Sequence, residues 1–147
     1  MDEYEFENMS EYLRTQIICD FIKKGEMPVK LIPKKYFNDV ICNKLIDISC
    51  HFISDIPKSL RTREICLKVP YIKMQYFPDE VISEIALSAV KEDPVYLRHI
   101  PEHLRTKEIC LEAVKSTRSS IHYNFVKKFI PQQFQEICQE YFDNFKN

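Results

Sequence analysis

Glycine is nearly missing from this chain: Gly25 is the only one in 147 residues. The tightest hairpin turns need positive φ, which glycine supplies, so its scarcity argues against a hairpin-rich sheet. It also leaves no glycine-rich loop to cradle a phosphate. Tryptophan is absent, and no apolar run approaches the roughly 18–20 residues of a membrane span. An excess of one charge is missing too. With 21 basic and 22 acidic residues the net charge is −1, which argues against nucleic acid or an anionic membrane as a partner. The stretch Met1-Asp2-Glu3-Tyr4-Glu5 is acidic, unlike a signal or transit peptide, so a cytoplasmic protein is expected.

What the chain does contain is a sentence said twice. Ile56-Pro57-Lys58-Ser59-Leu60-Arg61-Thr62-Arg63-Glu64-Ile65-Cys66-Leu67 returns as Ile100-Pro101-Glu102-His103-Leu104-Arg105-Thr106-Lys107-Glu108-Ile109-Cys110-Leu111. Fainter copies align when position zero is set at Ser10, Pro33, Pro57, Pro78 and Pro101. The position before zero is then always apolar: Met9, Ile32, Ile56, Phe77, Ile100. The ninth position after it is Cys19, Cys42, Cys66, Leu87, Cys110, flanked by apolar eighth and twelfth positions. The third position (Leu13, Tyr36, Leu60, Val81, Leu104) is another apolar column. The fifth is Thr15, Asn38, Thr62, Ser83, Thr106, all residue types that accept from a free N–H at a helix start. A damaged copy begins at Pro131.

These columns predict one all-α domain over residues 1–147, an array of short helix pairs of about 23 residues per unit. Each unit reads as a short proline-initiated helix, a turn, and a longer helix with its apolar positions on one face. The units start near residues 10, 33, 57, 78 and 101, and a C-terminal helix over about 131–145 closes the array. Neither helix of a unit can bury its stripe alone, and stacking of neighbours solves that. The polar stretch Ser116–Ser120 reads as a loop. Five of the six cysteines lie in one apolar column and are expected as buried free thiols, with Cys50 outside it.

The string Leu104-Arg105-Thr106-x-Glu108-x-Cys110-Leu111-x-Ala113-Val114, preceded by Ile100-Pro101, resembles the helical repeats of a domain-of-unknown-function family found in bacterial effectors and large DNA viruses. The resemblance runs from about Met9 to Val114. It implies a helical repeat array with an interaction role, a setting in a host cytoplasm or virion, and no catalytic residues.

Candidate chemistry is sparse. His99 and His103 are four apart, a metal-ligand spacing on a continuous helix, but Pro101 stands between them. Cys50-His51 lacks further ligands, and Ser119-Ser120-Ile121-His122 is too local for a relay. The expectation is a non-catalytic protein-interaction or scaffold module, with no cofactor and no metal. The alternative is a small effector-type enzyme with its active site in a groove between units. The residues free of packing duty are the row Arg14, Arg61 and Arg105 and the turn residues Tyr71, Tyr96 and Tyr123. Arginine and tyrosine dominate interface hot spots, so these six form the candidate partner-binding face. The competing reading for the arginines is structural: guanidinium groups bridging to carbonyls.

Overall fold

The computed structural model describes residues 3–145. Those residues contain eight α-helices and eight 3₁₀ turns and no strand. The helices are α1 (Glu3–Asn8), α2 (Glu11–Lys23), α3 (Asp39–Ile48), α4 (Arg63–Leu67), α5 (Asp79–Glu92), α6 (Lys107–Ser116), α7 (Ser120–Val126) and α8 (Gln132–Phe145). They fall into two compact parts, the first ending at Val69 and the second beginning at Pro70. In the first part α2 packs on α3, and α3 on α4 and on the turn Cys50–Ser54. In the second, α6 packs on both α5 and α8, and the turn Pro94–His99 packs on α5, α6 and α7.

The proline-led segments are 3₁₀ turns instead of the short helices expected. Lys34–Tyr36, Lys58–Leu60 and Glu102–Leu104 each follow an extended proline, Pro33, Pro57 and Pro101. Each closes two i→i+3 bonds, from the third turn residue to the proline carbonyl and from the next residue to the first, and then stops. After each turn the predicted cap takes over: Asn38 accepts from Ile41 N–H at 2.9 Å, Thr62 from Ile65 N–H at 3.4 Å, and Thr106 from Ile109 N–H at 3.3 Å.

Two of the five expected caps are not caps. Thr15 lies inside α2, buried on its core face, because Ser10 replaces proline and its hydroxyl already accepts from Leu13 N–H. Ser83 lies inside α5, where its hydroxyl donates to the Asp79 carbonyl. Asp79 and Glu80 suit the positive end of that helix, and the side chains Val81, Ile82, Ile85, Ala86, Ala89 and Val90 are buried along it, so it runs unbroken from Pro78. α2 ends as a Schellman motif. Gly25, at φ 72°, donates to the Ile22 carbonyl and Glu26 to that of Phe21. The chain's one glycine therefore stands where a left-handed residue is required.

The core is built from the columns before zero and at plus eight, nine and twelve: Ile32, Ile56, Phe77 and Ile100; Ile18, Ile41, Ile65, Ala86 and Ile109; Cys19, Cys42, Cys66 and Cys110; Ile22, Leu45, Val69, Val90 and Ala113 are buried, and only Met9 and Leu87 of these columns are half-buried. The third column is different. Only Val81 of its five members is buried, and Leu13 is exposed. The stretch read as a loop is only three residues long. Buried Thr117 donates its hydroxyl to the Val114 carbonyl, and Ser119 accepts from His122 N–H to start α7.

All six cysteines are unpaired; five are buried and Cys50 is half-buried. Burial pushes the thiols of Cys42, Cys66 and Cys138 up to about 11 and that of Cys110 up to about 12. The Cys66 and Cys110 thiols point at the carbonyls of Arg61 (3.6 Å) and Arg105 (3.8 Å). No helix among the described residues is long and apolar enough to cross a membrane.

Candidate functional site

The three arginines make the same bond in the same register. Arg61 Nε donates to the Ile56 carbonyl at 2.9 Å and Arg105 Nε to the Ile100 carbonyl at 2.7 Å. Arg14 Nη1 donates to the Met9 carbonyl and, at 2.8 Å, to that of Glu7. Each guanidinium reaches back five residues to the last apolar position before its turn. Second bonds go from Arg61 Nη2 to the Ser54 carbonyl (3.2 Å) and from Arg105 Nη1 to the Phe129 carbonyl (2.8 Å). A rigid fork of donors suits a set of divergent carbonyls, and an ammonium could not span them. Burial of the Arg105 guanidinium is sufficient to lower its pKa.

Tyr123 is not on an exposed turn. It lies in α7, is 2 % exposed, and stacks on Phe142 of α8 with ring centroids 3.9 Å apart. Its hydroxyl donates to Gln139 Oε1 at 3.0 Å. Helix α7 has no clear signal in the sequence because only Tyr123 and Val126 of its seven residues are buried. A tyrosine outside every column reads as surface.

Tyr71 and Tyr96 behave otherwise. Pro70 opens the 3₁₀ turn Tyr71–Tyr76, and Asp93 opens the turn Pro94–His99 by accepting from Val95 N–H at 2.9 Å. The i→i+3 spacing sends Met74, Pro94 and Leu97 into the core and leaves both tyrosines half-buried. Their rings meet edge to face, centroids 5.5 Å apart at 75°. His99 sits beside Tyr96 and ties the two turns together. Its Nε2 accepts from Arg98 Nε at 2.8 Å, so its Nδ1 carries the proton and donates to Gln75 Oε1 at 3.1 Å. Burial, then the Arg98 charge, lowers the pKa of this imidazole, which favours the neutral tautomer those bonds need. Ile72 is exposed next to Tyr71. Gln75, Arg98 and His99 carry no shared sequence pattern, and only the packing of the two turns brings them to the tyrosine pair.

The two histidines of the candidate metal spacing have separate partners. His99 is engaged as described, while His103 Nε2 lies 2.8 Å from Asp79 Oδ2 at the start of α5. No group of three His, Cys, Asp or Glu side chains able to hold a metal occurs among the described residues.

A groove of about 240 Å³ in the first part is lined by Arg14, Lys35, Tyr36 and Asn38. Its polar groups are turned on one another. Lys35 and the Tyr36 hydroxyl both donate to Glu7 Oε1, and Asn38 donates to Glu11. The hydrogen bond from Lys35, followed by that from Tyr36, holds the Glu7 carboxyl below the usual carboxylate range. Phe6 packs edge to face on Tyr36, so the cluster pins α1 to the turn Lys34–Tyr36.

No curated protein and no solved structure matches the chain. Residues 83–130 are similar to the family described as "Domain of unknown function (DUF4116)", a match that begins inside α5, takes in α6 and α7, and reaches Ile130 beyond the stretch where the Leu-Arg-Thr motif repeats.

Proposed function

We propose that the chain is a non-catalytic protein-interaction module, an array of helical units of about 23 residues, whose contact surface in the second part is centred on Tyr71 and Tyr96. The array reading is supported by the caps at Asn38, Thr62 and Thr106 and by the arginine-to-carbonyl bond recurring in one register. The observation that carries the interaction reading is the edge-to-face pair of half-exposed tyrosines on two proline-stiffened turns. Such a pair offers a large amphipathic contact that loses little rotamer freedom on binding, because the His99–Gln75 link already holds the turns. Exposed Ile72 adds apolar area and Arg98 adds a cation. Arg14, Arg61 and Arg105 are engaged elsewhere, each donating to the carbonyl five residues before it. The partner is a protein surface, and the recognition uses no cofactor.

The test is affinity capture from a lysate of the native host cell with the wild-type chain and the Tyr71→Ala/Tyr96→Ala variant in parallel. Retention of a protein by the wild type and at least about tenfold loss with the variant, at equal helical content, supports the reading. Capture indifferent to both substitutions refutes it.

A further inference from the structure

Five side chains stand four residues before the start of a unit: Phe6, Val29, Ile53, Met74 and Leu97. The last four are at most 3 % exposed and anchor their turns in the core. Phe6, the anchor of α1, is only half-buried, and Tyr4 of the same helix is 78 % exposed. None of residues 4–8 is buried. At six residues α1 is also too short to keep helical structure without docking. It is therefore the element of its column held least by burial, and the one that opens most readily.

What holds α1 is a set of surface contacts with directed chemistry. Glu7 Oε1 accepts from Lys35 Nζ and from the Tyr36 hydroxyl, and Arg14 Nη1 donates to the Glu7 carbonyl at 2.8 Å. The Phe6 ring meets that of Tyr36 edge to face, centroids 5.3 Å apart at 86°. Both members of the Lys35–Glu7 pair are exposed, and such pairs add little to stability. They are nonetheless selective: an ammonium, a phenol and a guanidinium converge on one acidic residue that follows an aromatic ring. Lys35, Tyr36 and Arg14 all line the 240 Å³ groove, which reaches down to buried Thr15, Ile18 and Ile41. Glu11, on the same groove, is already taken up by Asn38.

We propose that the rim formed by Arg14, Lys35 and Tyr36 is a docking site for a protein segment that presents an aromatic residue followed by a carboxylate, and that α1 occupies it as an intrachain competitor. The seated helix shows the chemistry of the ligand: a ring set edge-on to Tyr36, and a carboxylate shared by Lys35 and the Tyr36 hydroxyl. Undocking of α1 releases these donors together, and a segment of the same chemistry replaces it contact for contact. Its apparent affinity scales with the fraction of molecules whose rim is vacant, so α1 sets the threshold for binding. The site lies in the first part of the chain, and the inference does not rest on Tyr71 and Tyr96.

Fluorescence anisotropy of a labelled peptide with the sequence of residues 3–9, titrated with the full chain, tests it. The Phe6→Ala/Glu7→Ala chain, whose α1 no longer competes, is expected to bind the peptide at least about tenfold more tightly than wild type. Glu7→Gln alone, which keeps the ring and the length of the side chain, is expected to give an intermediate affinity and guards against misfolding of the double variant. Adding Lys35→Glu to the double variant is expected to remove the gain, as is replacing the peptide's own Phe6 and Glu7 by alanine. Absence of binding to both α1 variants overturns the docking site. Equal binding to wild type and both variants overturns the competition by α1, and binding indifferent to Lys35→Glu overturns its placement on this rim.

Discussion

Arg105→Ala separates a staple from a binding side chain. In the folded protein its guanidinium joins two carbonyls that are far apart in sequence, Ile100 at 2.7 Å and Phe129 at 2.8 Å. The first closes the turn Glu102–Leu104 before α6; the second ties that turn to the segment between α7 and α8. Hydrogen bonds to a charged group contribute about 1.5–3 kcal/mol each. Residual solvent access lets water replace part of what is lost, so the expected destabilisation is about 2–3 kcal/mol for the pair. Arg105→Lys is expected to recover less than half, because an ammonium on a single stem cannot reach both carbonyls as the fork does. Arg14→Ala, whose two carbonyl partners lie within seven residues, costs less. Urea titrations followed by far-ultraviolet circular dichroism measure these differences as midpoint shifts at constant slope. A change under about 0.5 kcal/mol for Arg105→Ala, the ordinary range for a surface substitution, would refute the staple.

The capping residues give a sharper contrast. Thr62→Ala and Thr106→Ala are each expected to cost about 1 kcal/mol, whereas Ser83→Ala, which removes a back-bond inside α5, is expected to be near neutral. Equal effects at all three positions would show that the first-turn acceptor is not what matters. Thiol reagents are expected to label Cys50 first in native protein and Cys42, Cys66 and Cys110 only on unfolding; fast native labelling of Cys110 would contradict its burial. The same burial makes stability sensitive to alkali. The Cys110 thiol is neutral up to about 12 when folded and ionises from its ordinary 9.0 when unfolded. The unfolded chain therefore releases protons first, and this contribution, full below pH 9, is lost as pH rises from 9 toward 12. Cys110→Ala is expected to flatten the alkaline limb of a stability-versus-pH curve; an unchanged limb would assign the loss to other groups.

Much of the fold was legible in the residues because its causes are local. A proline at zero, a hydroxyl or amide at plus five and apolar residues at plus eight, nine and twelve dictate turn, cap and buried face within one short stretch of chain. The cysteine column could be read as core for that reason, and α8 could be placed from its own periodicity. Where one local determinant changed, the reading failed in an interpretable way. Ser10 instead of proline starts α2 early and converts Thr15 from cap to core. At Pro78, two acidic residues and an unbroken apolar face carry α5 straight through Ser83.

What only the tertiary structure decided depends on partners distant in sequence. The arginine column was visible, but whether a guanidinium faces solvent or a carbonyl depends on where the Ile100 and Phe129 backbones come to rest. Tyr71 and Tyr96 looked no different from Tyr123 in sequence. The first two emerge from turns whose inward positions are filled by Met74 and Leu97, while the third meets Phe142 and Gln139 across α7 and α8. A side chain's column records the packing its own helix requires. Its exposure is set by what the rest of the chain brings to it, and for a tyrosine, at home both in a core and on a surface, the sequence leaves that open.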